Sequence, residues 1–225
     1  MAPQVVTVYT RTTDGQLHEV GKVELHKINQ LSPRVCKNLR GSSGKTVVLD
    51  ESEFDRDASK WILAWMNRYD LKKAIDADGQ QMLVKDLKTP LGKKDAKGEP
   101  EFPDIVKVFA TSYAFGIPVP VKGTDFHDKI YEYIHMGALT ADEFRMLFEW
   151  LQLSKNDLLK TAVHQTAYLN GSGKASPEIE EIENAAKEFG VLEELQGRTA
   201  HHAANKKRQD AAKAAYDARQ AREAA

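Results

Sequence analysis

VVTVYTRTTDGQLHEVGKVEL, running from Val5 to Leu25, is the stretch that decides the fold. It sets a β-branched run, Val5 to Tyr9, against a second run from Leu17 to Leu25, with Thr12-Thr13-Asp14-Gly15-Gln16 between them. Asp-Gly residues accept positive φ readily, so the whole reads as a β-hairpin. Val20, Val23 and Leu25 mark an imperfect alternation in its return strand. Downstream, Leu31, Val35 and Leu39 recur every four residues and predict one short helix, with Ser32-Pro33 in the first turn, where a proline loses no hydrogen bond. Gly41-Ser-Ser-Gly44 breaks that helix, and Thr46-Val-Val-Leu49 reads as a third strand.

From there the apolar spacing turns helical. Asp57 to Tyr69 carries Trp61, Ile62, Trp65, Met66 and Tyr69 on one stripe, and two tryptophans there imply core. Lys85 to Glu101 is Lys-, Gly- and Pro-rich and predicts a solvated loop. Pro103 opens a helix through Ile117 with Val106, Phe109, Ala110, Tyr113 and Ile117 at core spacing, and Gly116 with Pro118-Val-Pro120 stops it. Asp125 to Met136 buries Phe126, Ile130, Tyr133 and Ile134. Thr140-Ala-Asp-Glu143 is a capping box leading into Phe144, Leu147, Phe148 and Leu151. A helix from Ser154 to Leu169 follows, then one from Ser176-Pro177 with Ile179, Ile182, Ala186 and Phe189 inward and Gly190 as its stop. From about Arg198 alanine and charge replace large apolar residues, which predicts a marginal exposed helix or a frayed tail.

Composition bounds the function. The chain has 225 residues, 41% hydrophobic and 29% charged, so it can build a core without disulfide or metal staples. Lys and Arg number 32 against 33 Asp and Glu, and no bulk charge draws it to nucleic acid or anionic lipid. One cysteine, Cys36, fits a reducing compartment. The first ten residues lack the basic and apolar regions of a signal peptide, and no run of about 18 apolar residues exists to span a membrane. The expected location is cytoplasmic, nuclear or both.

No catalytic constellation assembles in the sequence. Gly41-Ser-Ser-Gly-Lys-Thr46 imitates the end of a phosphate-binding loop, but Leu39 stands where that loop needs its first glycine. A strand also follows, where phosphate binding needs a helix N-terminus. The seven histidines offer no i, i+4 pair for zinc. Neither a cofactor nor a metal is expected. The tail is the one place for nucleic acid: Arg198, Lys206, Lys207, Arg208, Lys213, Arg219 and Arg222 outnumber Asp210, Asp217 and Glu223. Stacking aromatics are nearly absent there and the preceding helix is acidic, so a solvated tail is the preferred reading and nucleic-acid binding the alternative.

The order strand, Asp-Gly hairpin, strand, helix, strand, Trp-rich helix, charged loop, helix resembles the BTB/POZ superfamily, including its elongin C-like branch. The resemblance is carried by Thr13-Asp14-Gly15, Leu25-His26-Lys27, Leu31-Ser32-Pro33, Val47-Val48-Leu49, Trp61 to Met66, and Glu101-Phe102-Pro103 leading into the Val106 to Ile117 helix. It implies an α+β fold, a small three-stranded mixed sheet flanked by helices and followed by an all-helical extension. The expected domains are a BTB/POZ-like domain over 1–122, a BACK-like helical extension over 123–197 and an Ala/charge-rich tail over 198–225. Four residues precede Val5, so the extra first helix of dimerising members has no counterpart and a monomer or weak homodimer is expected.

The implied function is a non-enzymatic protein–protein interaction adaptor or scaffold, in one setting linking a partner to a cullin ubiquitin ligase. Phe115, on the side of its helix opposite the core stripe, is covered by the C-terminal helices or offered to a partner. Phe115 and Phe102 are therefore the candidate protein-binding residues.

Overall fold

The computed structural model describes residues 4–39, 45–71, 102–117, 125–151 and 157–223. The opening stretch folds as its chemistry dictates. Strands β1 (Val5–Arg11) and β2 (Leu17–Glu24) pair antiparallel from Val5 opposite Glu24 to Arg11 opposite Leu17. Gly15 sits at φ +85° in the turn, and its N–H donates to the Thr12 carbonyl at 2.9 Å. The Thr12 hydroxyl bonds the Asp14 carboxylate, which also accepts from Gln16 Nε2 at 2.9 Å. The register shifts between Val8 and Tyr9, leaving Val20 as an extra residue. That bulge is why the alternation in β2 is imperfect.

Strand β3 (Thr46–Asp50) lies parallel to β1, giving the mixed order β2-β1-β3. Val6, Val8, Thr10, Val47 and Leu49 turn to the buried face with Val20 and Val23. The fold is α+β, and the described residues beyond β3 form only helices and connections.

Between β2 and β3 the chain forms two helices rather than one. Helix α1 (Leu25–Leu31) begins at the residue expected to end β2, and α2 (Pro33–Leu39) follows after Ser32. Pro33 explains the division: it has no N–H to donate, and its ring drives the preceding residue off helical geometry, here to φ −138°. Ser32 recovers two bonds, its N–H to the Ile28 carbonyl and its hydroxyl to the Phe115 carbonyl.

Helix α3 (Arg56–Arg68) is capped by the Asp55 side chain, which accepts from the Ala58 N–H at 2.9 Å. Ile62, Leu63, Trp65 and Met66 are buried, whereas Trp61 is only half-buried. Helix α4 (Phe102–Phe115) packs against α3 and is buried on nearly every side, including Val108, Ala110, Thr111 and Ser112. A helix sunk on all faces has no solvent side to contrast with a stripe. Gly116 ends it at φ +70°, where a Cβ would stand 3.1 Å from Arg34 Cβ.

Helices α5 (Asp125–Met136) and α6 (Ala141–Leu151) come next, followed by α7 (Asp157–Gly171), α8 (Ile179–Glu188) and α9 (Leu192–Glu223). Two compact units result. The first holds the described residues through Ile130 together with Trp150 and Leu151; the second holds Tyr131–Glu149 and the described residues from Asp157. The second unit is built on α7 and α9, with Ile182, Ala185, Ala186 and Leu195 buried and Phe189 stacked on Phe148 at 5.2 Å. From Arg198, where a marginal exposed helix or a frayed tail is expected, the chain stays helical, continuing α9 unbroken from Leu192 to Glu223. The predicted loop Lys85 to Glu101 and the Gly41 to Gly44 turn lie outside the described residues.

Candidate protein-interaction surface

Neither sequence-predicted residue faces solvent. Phe115 is 0% exposed and meets Phe54 edge-on at 5.2 Å, while Phe102 is 5% exposed. Phe115 is thus covered within the first unit, by the segment after β3. Lys45 and Thr46 lead into strand β3, with the Lys45 carbonyl accepting from Thr7 N–H at 2.9 Å. Of the neighbouring acids, Asp50 is held by Arg11 at 2.8 Å and Glu51 by Arg56 at 3.0 Å and the Thr10 hydroxyl at 2.9 Å. Among the described residues no group of three His, Cys, Asp or Glu is placed to hold a metal ion. No described helix is long and apolar enough to cross a membrane.

The exposed apolar residues concentrate at the end of α5, in the second unit. Met136 is 74% exposed, Tyr131 45% and Tyr133 37%. Tyr133 is expected in the core, but Phe126, Ile130 and Ile134 already fill a strict i, i+4 line. Tyr133 lies beside that line and reaches the next helix instead. With Met136, Gly137, Ala138 and Leu139 it lines an open groove of about 210 Å³.

The groove is fixed by the capping box. Thr140 N–H donates to Glu143 Oε2 at 2.9 Å, and Glu143 N–H donates to Thr140 Oγ1 at 3.2 Å. The other carboxylate oxygen of Glu143 accepts from the Tyr133 hydroxyl at 2.5 Å. Burial, together with that carboxylate, pushes the Tyr133 phenol up to about 12, so it stays a donor throughout the physiological range. Glu178 adds a second tie, accepting from Ala141 N–H at 2.7 Å. Tyr131 is braced by His135, with the rings 4.4 Å apart. The capping box is legible in the sequence; its extension to Tyr133 is not, because that depends on the turn between α5 and α6.

Compared with known proteins, the chain matches no family model, no curated protein and no solved structure.

Proposed function

We propose that the chain is a non-enzymatic protein–protein interaction adaptor of BTB type, and that the groove at the α5–α6 turn receives the partner. The observation that carries this is Met136, three-quarters exposed on a rim whose other wall is pinned by the Tyr133–Glu143–Thr140 chain. A thioether adapts to irregular apolar shapes, and tyrosines supply large contact area at low entropy cost. Burying such a methionine side chain contributes about 1.5–3 kcal/mol. In keeping with the family resemblance, the proposal includes bridging that partner to a cullin ubiquitin ligase or another cytoplasmic or nuclear complex, as a monomer or weak homodimer.

Affinity purification of the intact chain beside a Met136→Glu variant tests it. The expected result is a reproducible partner held by the unaltered chain and lost from a variant with the same melting temperature. Equal recovery from both would overturn the groove assignment, and an eluate without any cullin would remove the ligase setting.

A further inference from the structure

Every residue of α9 from Lys206 to Glu223 is exposed. The helix is anchored upstream, where it lies against Gly171 and where Lys206 Nζ donates to the Ser172 carbonyl at 2.6 Å. In composition the exposed stretch is mixed, with six Lys or Arg against Asp210, Asp217 and Glu223. The helix sorts them. At about 3.6 residues per turn, Asp210 and Asp217 fall on the side of Lys206 and Lys213, and Glu223 lies at the border. The remaining arc, about 180° wide, carries only Lys207, Arg208, Arg219, Arg222 and the six alanines between Ala211 and Ala221.

We infer that this acid-free face of α9 binds the phosphate backbone of duplex DNA, the alanine segment entering the major groove and the two basic pairs meeting its walls. The dimensions fit. Lys207 with Arg208 and Arg219 with Arg222 are separated by roughly 16–22 Å along the axis. An α-helix is about 10–12 Å across with average side chains, and slimmer with alanine, against a major groove about 12 Å wide. The charges select the occupant. Two copies of this face would set like charges together, and alanine methyls give an acidic protein surface little to bury, whereas phosphates need only cations and clearance. Arg219 is paired with Glu223 at 2.8 Å, but both are exposed and the pair exchanges readily for a phosphate. The arc holds no Asn or Gln to read adenine, and with its four cations engaged on phosphates the inferred recognition is independent of sequence. This site is separate from the groove at the α5–α6 turn, and its failure leaves the adaptor reading intact.

The test is fluorescence anisotropy of a labelled, mixed-sequence DNA duplex titrated with the intact protein across salt concentrations. The expected slope of log affinity on log salt is about −3 to −4, for four displaced counterions. Replacing all four cations by alanine (Lys207→Ala, Arg208→Ala, Arg219→Ala, Arg222→Ala) preserves helix propensity and is expected to weaken binding on the order of 100-fold at low salt. Lys213→Ala, on the other side, is expected to change it little. No binding at low salt, unchanged binding by the fourfold variant, equal binding of an RNA duplex whose major groove is too narrow, or tighter binding of a polyglutamate peptide would each overturn the inference.

Discussion

Gly171 lies so close to α9 that a Cβ built on it would stand 2.6 Å from the Thr199 carbonyl oxygen. His202 Cβ would be 2.7 Å away and Ala203 N 2.9 Å. Only a residue without a side chain lets the two backbones meet there. Gly171→Ala must push α9 off α7 and is expected to cost about 1–3 kcal/mol, read as a lower urea midpoint and faster amide exchange in both helices.

Phe115 separates a packing role from a binding role. Its ring is fully buried against Phe54, so Phe115→Ala is expected to cost about 3–5 kcal/mol in denaturant unfolding. Met136→Ala, on the exposed rim, is expected to stay within about 0.5 kcal/mol of the unaltered chain. Paired melts of the two variants check this.

The tyrosine at the groove titrates late. Its folded value of about 12 lies above the ordinary 10, so the phenol's bond to Glu143 contributes fully below pH 10 and is lost as pH rises through about 12. Burial also raises Tyr113, so ultraviolet titration is expected to show more than one late-ionising tyrosine, of which Tyr133→Phe removes one. Glu143→Gln should move it down only in part, because burial is the larger cause.

Glu51 behaves in the opposite sense. The hydrogen bond from Arg56, and after it that from Thr10, holds its carboxyl below the ordinary 4.5. Its stabilisation is present above that value and is lost as pH falls through the lower folded one. The stability gap between the unaltered chain and Glu51→Gln should therefore be widest near neutrality and close in acid, measured by urea midpoints across pH.

What was legible in the sequence follows from how local the physics is. The Asp14-Gly15 turn, the Thr140–Glu143 cap and the apolar line of α6 involve near neighbours, and the structure keeps them. The Leu31, Val35 and Leu39 rhythm with Pro33 in the first turn corresponds to α2, whereas α1 is not legible because Leu25 reads as the end of the return strand. Phe115 is covered, one of its two expected states, but what lies against it is Phe54 of its own unit: α4 is buried on nearly every side, so angular distance from one stripe says nothing of exposure. Tyr133 could not be separated from its helix's core line without knowing that Glu143 turns back to it. The polarity of α9 lies in the sequence, but it emerges only once the stretch is known to be helical through Glu223.

Site-specific crosslinking tests the central claim most directly. A benzophenone amino acid placed at Met136 of the intact chain, irradiated with the captured partner, should give a covalent adduct of the two polypeptides. The same probe at exposed Tyr168, outside the groove, should give none. An adduct from Tyr168 but not from Met136 would contradict the account.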